Sequence, residues 1–123
     1  MIHHRDSAAS RKAGITYHLA PEVVWDAQRA NDSYTPEAYE VDGFIHCTNG
    51  LDRLVTVANV FYVADSRAFR ALVLDIAAIR SEVRYDDEGQ YFPHIYGPLN
   101  TDAIIGELTV TRADDGTFVS IDV

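Results

Sequence analysis

The segment 69–79 constrains the fold more than any other part of this sequence. Apart from Arg70 and Asp75 it is entirely apolar. Such a run is typical of a β-strand that is buried on both faces. A chain of 123 residues has room for one domain with one core. We therefore expect a single domain whose sheet is covered on both sides of this strand.

Shorter strands are predicted where apolar and polar residues alternate with a period of two. In the longest of them, alternation places Ile104, Leu108 and Val110 on the inner face and leaves Glu107 on the other. The turn sequence Asp114-Asp115-Gly116 then leads into a final strand. The expected strands cover residues 15–20, 43–48, 82–87, 103–112 and 117–122.

Two helices are predicted in the first half of the chain. One begins at Pro21, a residue favoured in a first helical turn, and ends near Ala30. The second has apolar residues at helical spacing between Leu51 and Tyr62. The segment 31–42 between them has no apolar stripe and is expected to be a long loop of the kind that often binds ligands. The pattern predicts an α+β fold with a mostly antiparallel sheet and two early helices.

The ends of the chain and its charge limit the choice of partners. Residues 1–14 are polar, small and aperiodic, which predicts a flexible leader before a domain at 15–123. The net charge is −9, so the surface repels nucleic acids and anionic membranes, and we expect neither as a partner. No protein partner is identifiable from the sequence. No apolar run is long enough for a membrane span, and Cys47, the only cysteine, rules out an internal disulfide, which favours a cytoplasmic protein.

Three histidines are the first candidates for chemistry. His18, His46 and His94 lie in strand-like or Pro/Gly-framed segments among aromatic residues. His46 shares its strand face with Phe44 and Thr48, so two adjacent strands can present His18 and His46 to one cleft. There they can exchange protons, orient a hydroxyl or bind a metal; alternatively, each is a buried histidine that bonds a backbone carbonyl. A three-histidine metal site is open by number but has no spacing signature, and we predict no metal.

The segment 91–99 is the second candidate. Two prolines and a glycine restrict its backbone, and Phe92, His94 and Tyr96 project together if it is extended. Such a surface suits a flat ring such as adenine or nicotinamide, although a packed corner of the core explains the same residues. Cys47 lies on the opposite strand face from His46, so it is expected to pack in the core. No glycine-rich phosphate loop and no common zinc motif is present.

Three segments of the sequence resemble, in order and spacing, the bacterial family called domain of unknown function 952. The resemblance extends over about residues 15–108, and its most specific part is the last of the three segments. These segments are Tyr17-His18-Leu19-Ala20, Gly43-Phe44-Ile45-His46-Cys47-Thr48 and Phe92-Pro93-His94-Ile95-Tyr96-Gly97-Pro98-Leu99.

This resemblance implies a fold like that of ADP-ribosyltransferases, in which a split β-sheet clasps NAD. On that basis His18 would hold the adenosine ribose, while His46 and Thr48 would line the nicotinamide side. His94 and Tyr96 would close the cleft. The implied catalytic residues are His18, His46 and His94, and the implied cofactor-binding residues are His18, Thr48, Arg84 and Tyr96, with NAD as the cofactor.

The resemblance is incomplete at one important position. ADP-ribosyltransferases usually carry a late glutamate that stabilises the oxocarbenium-like transition state. The only late-strand candidate here is Glu107, which alternation allows to face either solvent or the cleft. Arg84 or Arg29 would hold the pyrophosphate through paired hydrogen bonds. Two functions therefore stay open: NAD-dependent ADP-ribosyl transfer or NAD glycohydrolysis, and a non-catalytic module that binds or senses NAD or ADP-ribose. In both, the partner is a small-molecule nucleotide.

Overall fold

The computed structural model describes residues 14–122 and has the expected α+β composition, with mostly antiparallel strands. The predicted leader lies outside the described residues, except for Gly14. The strands are β1 (Ile15–Pro21), β2 (Ser33–Tyr34), β3 (Ile45–His46), β4 (Phe69–Asp75), β5 (Glu82–Tyr85), β6 (Pro93–Tyr96), β7 (Leu99–Asn100), β8 (Ile104–Arg112) and β9 (Phe118–Asp122). The helices are α1 (Glu22–Gln28), α2 (Tyr39–Asp42) and α3 (Leu51–Phe61).

The long apolar segment forms β4 inside a four-stranded antiparallel sheet of order β1-β4-β8-β9. Residues on both of its faces, including Ala71 and Leu72, are fully buried, as the sequence predicts. The strand ends at Asp75, four residues before the predicted end. There the Asp75 side chain accepts a hydrogen bond from the Ala77 N–H at 3.2 Å, which starts a short 3₁₀ turn.

Each face of this sheet is covered by a different layer. Helix α3 packs Leu54 and Ala58 against one face, together with Phe118 of β9. The other face is covered by a second cluster that includes Trp25 of α1 and Tyr34 of β2. Within the described residues, one apolar cluster therefore lies on each face of the four-stranded sheet.

A second, three-stranded sheet of order β3-β6-β5 joins the first sheet at the strand β1. Tyr17 of β1 and Thr48, which follows β3, exchange two backbone hydrogen bonds of 3.1 and 2.8 Å. Ile45 and Ile95 pair in register and are buried against the larger sheet. The junction between the two sheets is thus a single antiparallel bridge beside His18 and His46.

Two local expectations need correction. Ile104 does not share a face with Leu108 and Val110, because a β-bulge shifts the pairing of β8 with β4 and turns Ile104 toward the opposite cluster. The segment 31–42 also contains more structure than a plain loop, since β2 and the short helix α2 lie within it. The two early helices are present at 22–28 and 51–61, and α2 is a third.

Candidate functional site

The outer face of the small sheet carries several of the candidate residues. Its inner face is occupied by Ile45 and Ile95, so the alternation of the strands turns their neighbours outward. His46, His94 and Arg84 form one row across β3, β6 and β5, because His94 is the register partner of both His46 and Arg84. Two of the predicted catalytic histidines are therefore adjacent.

An aromatic cluster surrounds these histidines. The Phe44 ring stacks on the His94 ring, with a centroid distance of 4.0 Å and an interplanar angle of 22°. It also lies 4.6 Å from the His46 ring and 5.3 Å from the Tyr96 ring. The two imidazole centroids are 5.4 Å apart. This face offers flat, partly exposed rings of the kind that contact a planar ligand.

Each of the two histidines is hydrogen-bonded to a carboxylate. His46 Nε2 lies 2.9 Å from Asp42 Oδ2, and His94 Nδ1 lies 2.8 Å from Asp86 Oδ2. The Tyr96 hydroxyl donates to the same Asp86 oxygen at 2.7 Å. The bonds from Tyr96 and His94 lower the pKa of Asp86, so this carboxylate stays ionised at neutral pH. A carboxylate acceptor requires the bonded nitrogen to carry a proton, which leaves the other ring nitrogen of a neutral histidine free to accept one.

His18 lies beneath this face and is only 5% exposed. Its Nδ1–H donates to the backbone oxygen of His46 at 2.7 Å, since a carbonyl can only accept. Burial lowers the pKa of His18 from 6.5 to about 4, so the ring is neutral and its Nε2 accepts a hydrogen bond from the Tyr34 hydroxyl at 3.0 Å. Both ring nitrogens are thus bonded within the protein, and His18 holds the backbone that carries His46.

Two adjoining hollows meet at His46, Thr48 and Val57. The first has a volume of about 130 Å³ and is bounded by His18, Tyr34 and the start of α2. The second, of about 300 Å³, lies between the end of α3 and β6. We call the two hollows together the histidine groove. Its apolar wall includes Phe44, Leu54, Val57, Phe61, Phe92 and Tyr62.

The charged side chains that line the histidine groove are mainly carboxylates. Its arginine is Arg67, which donates to Asp65 Oδ2 at 2.8 Å and to Glu37 Oε1 at 2.9 Å. The side-chain hydrogen bond from Arg67 is the main cause that lowers the pKa of Asp65. The carboxylates on the two walls are those of Glu37, Asp42, Asp65, Asp86 and Asp87.

The structure brings most predicted site residues to this groove but not all of them. His46, Thr48 and His94 line it directly, and His18 lines its inner end. Tyr96 reaches it through Asp86. Arg84 lies on the same sheet face, but its Nε donates to Glu82 at 2.8 Å and its guanidinium covers the Tyr96 ring at 4.4 Å.

Arg29 and Glu107 lie elsewhere, in a separate hollow beside Trp25. Arg29 donates to Glu107 at 2.7 Å, and Arg70 contacts the same carboxylate at 3.4 Å. The bond from Arg29 is the main cause that lowers the pKa of Glu107. Glu107 therefore lies outside the histidine groove, in a partly exposed ion pair with Arg29, and the carboxylates near the histidines are different ones.

Several residues of the groove were not predicted from the sequence, among them Asp42, Asp86 and Arg67. Asp42 stands four residues before His46, a spacing that could have suggested the pair, whereas Asp86 looked like part of a solvated acidic turn. No sequence pattern marked Arg67 as a site residue, because only the fold brings it to Glu37. Cys47 is buried in the core as predicted, and burial raises the pKa of its thiol.

Two kinds of feature, a cluster of metal ligands and a membrane-spanning helix, are absent from the described residues 14–122. No group of three or more histidine, cysteine, aspartate or glutamate side chains within this range is arranged to hold a metal ion. Likewise, none of the helices described is long and apolar enough to cross a membrane.

Comparison with solved structures shows the class of fold. The chain is similar to the crystal structure of protein CC0527 from Caulobacter crescentus, with 21% sequence identity and a TM-score of 0.72 over 85% of this chain and 93% of that one. A double mutant of CC0527 gives a TM-score of 0.71 at the same identity and coverage. The solution NMR structure of CC0527 gives 0.66 at 22% identity, over 84% and 90% of the two chains.

Comparison with protein families identifies the chain more closely. The model of the family described as "Protein of unknown function (DUF952)" matches residues 19–107, which is most of the chain and includes the residues of the histidine groove except His18. The chain therefore belongs to the DUF952 family, as the three sequence segments indicate. A search of curated proteins finds no match.

Proposed function

We propose that the histidine groove binds NAD or a related pyridinium nucleoside and cleaves the bond between nicotinamide and ribose. The observation that carries the proposal is the pair of histidine–carboxylate contacts, His46–Asp42 and His94–Asp86, beside the stacked ring of Phe44. An ADP-ribosyltransferase-like fold is part of the proposal. Its support is the separation of the four-stranded sheet from the three-stranded sheet, with a backbone bridge between Tyr17 and Thr48 at their junction.

The charge of the groove suits this bond cleavage. The C–N bond to nicotinamide breaks with its electron pair leaving on nicotinamide, so positive charge moves from the pyridinium ring to the ribose. Fixed carboxylates such as those of Asp42 and Asp86 stabilise charge of that sign, and one such interaction is typically worth about 3 kcal/mol of the barrier. In hydrolysis, water adds to the ribose carbon and gives its proton to the free ring nitrogen of His46, which releases it to solvent.

The groove offers fewer binding groups to the pyrophosphate of NAD than to its nicotinamide ring. Arg67 is the arginine on its walls, and it is already bonded to Asp65 and Glu37. The arginines expected to hold the pyrophosphate, Arg84 and Arg29, are paired with Glu82 and Glu107 outside the groove.

A non-catalytic binding or sensing module is the second candidate function. The observation that favours it is the place of Glu107, the late-strand glutamate candidate, in a different hollow. His18 also has both nitrogens occupied within the protein. In this case the ligand binds without loss of nicotinamide.

A thermal-shift titration with NAD, ADP-ribose and nicotinamide, followed by an assay of nicotinamide release, tests the proposal. A ligand at about one hundred times its dissociation constant adds about 2.7 kcal/mol to the free energy of unfolding, which is easily detected. Binding with release supports cleavage, binding without release supports the sensing module, and no binding of NAD or of any derivative refutes both.

Matched variants test whether the carboxylates act. For Asp42→Asn and Asp86→Asn we expect nicotinamide release to fall by about a hundredfold or more, because each removes negative charge next to the reacting bond. Asp114→Asn removes the same charge at the exposed β8–β9 turn and should keep full activity. Equal activity in all three variants would refute the assignment of the groove.

A further inference from the structure

We infer that the histidine groove selects a pyridinium nucleoside that carries no phosphate, such as nicotinamide riboside, over the mononucleotide and over NAD. This inference rests on the proposed function and specifies its substrate. It follows from the mismatch between the charges on the groove walls and those of a dinucleotide.

The first argument is the balance of charge along the groove. Among the described residues, five carboxylates line it, against the guanidinium of Arg67. Asp86 is held ionised by its two hydrogen bonds, and Asp65 by Arg67. A phosphate that enters this field is repelled from both walls, whereas a cationic ring is attracted.

The second argument is that the hydrogen-bond donors of Arg67 are already occupied by protein carboxylates. Its Nε donates to Asp65 at 3.0 Å, and its two terminal nitrogens donate to Glu37 at 3.2 and 2.9 Å. One terminal nitrogen also donates to Asp65 at 2.8 Å. The guanidinium fork is therefore filled by two carboxylates, and a phosphate could bind it only by displacing one of them.

The third argument is the shape and polarity of the remaining wall. The stacked rings of Phe44 and His94 present a flat surface next to the two histidine–carboxylate pairs. Phe61, which is 72% exposed, and Phe92 add aromatic surface at the second hollow. A flat cation gains both cation–π attraction from the rings and Coulomb attraction from the carboxylates. A pyridinium ring has this chemistry, and the uncharged ribose adds no opposing charge.

The test compares three substrates that share the same reacting bond. Nicotinamide riboside, its 5′-phosphate and NAD are each titrated calorimetrically against the protein and assayed for nicotinamide release. We expect the riboside to bind at least tenfold more tightly than either phosphorylated compound, and to have the highest kcat/KM if the bond is cleaved. Lower salt should widen the difference, because less screening strengthens the repulsion.

A charge variant tests the cause of the preference. Glu37→Gln removes one partner of Arg67. It should reduce the ratio between the dissociation constants of the 5′-phosphate and the riboside several-fold. Asp114→Asn, with the same loss of charge at a distant turn, should leave that ratio unchanged.

The outcomes separate this inference from the function on which it rests. Equal or tighter binding of the 5′-phosphate or NAD overturns the preference for the riboside, but leaves pyridinium nucleosides as the ligands of the groove. No binding of any of the three overturns both. Tighter binding of the riboside without nicotinamide release supports the preference and assigns the groove to the sensing function.

Discussion

The buried ring of His18 makes the stability of this protein depend on pH in a defined window. Its Nδ1–H bonds the His46 backbone oxygen, and its Nε2 accepts from the hydroxyl of Tyr34. Protonation of Nε2 would turn that acceptor into a second donor and place a charge in the core. Burial accordingly lowers the pKa of His18 from 6.5 to about 4 in the folded protein.

The sign and size of the effect follow from proton binding. Below about pH 6.5 the unfolded chain protonates His18, whereas the folded protein does so only near pH 4. The unfolded state therefore binds more protons in this range, and the free energy of unfolding falls as the pH falls. The full loss is about 3 kcal/mol, since each pKa unit corresponds to about 1.4 kcal/mol. About 2 kcal/mol of it should be lost between about pH 7.5 and pH 5.

Urea unfolding at a series of pH values measures this loss. The range above about pH 5 is the informative one, because carboxylates with lowered pKa values, such as Asp65 and Asp86, contribute mainly at lower pH. His18→Gln keeps a donor and an acceptor at the site but has no titratable group, so its stability should vary much less over this range. His46→Gln, which removes an exposed histidine instead, should retain the dependence due to His18.

Two results would contradict this reasoning. One is a wild-type protein whose free energy of unfolding stays constant between about pH 7.5 and pH 5. The other is a His18→Gln variant that loses as much stability as the His46→Gln control. Either result would mean that His18 is protonated, or solvated, in the folded protein.

Three further predictions concern stability and reactivity. Cys47 is buried with a raised pKa, so a thiol reagent should modify it only as fast as the protein unfolds, and faster reaction in native buffer would contradict its core position. Gly116→Ala should lower the thermal unfolding temperature more than Gly43→Ala does. Both glycines have positive φ, but a Cβ at Gly116 would meet a backbone oxygen, whereas Gly43 has open space around it. Asn59→Ala should lower the free energy of unfolding by about 1–2 kcal/mol, because Asn59 bonds both the N–H and the carbonyl of Phe118, and equal stability in urea would show that these bonds are replaced by water.

The sequence predicts the parts of the fold that depend on local patterns. The apolar run at 69–79 identified the strand buried on both faces, and the helical spacing from Leu51 identified α3. The alternation of 43–48 placed His46 outward and Cys47 inward, as observed. These features follow from the periods of strands and helices, which a single sequence displays.

Features that depend on how distant segments meet could not be predicted in this way. The bulge between β4 and β8 reversed the face of Ile104, and nothing in the alternation marks it. Asp86 is one of several acidic residues in a turn until the β5–β6 pairing brings it to His94 and Tyr96. The choice of Arg67 over Arg84 as the arginine of the groove likewise depends on the course of segment 31–42.

The junction of the two sheets links the stability of the fold to the geometry of the groove. The backbone bridge between Tyr17 and Thr48 and the bond from His18 to the His46 backbone lie next to each other on β1. A change that loosens this junction therefore weakens the packing of the three-stranded sheet and also displaces His46. For this reason, loss of activity in a His18→Ala variant would not by itself show that His18 contacts a ligand. The His18→Gln variant separates the two roles, because it keeps a donor and an acceptor at the junction while it removes the imidazole.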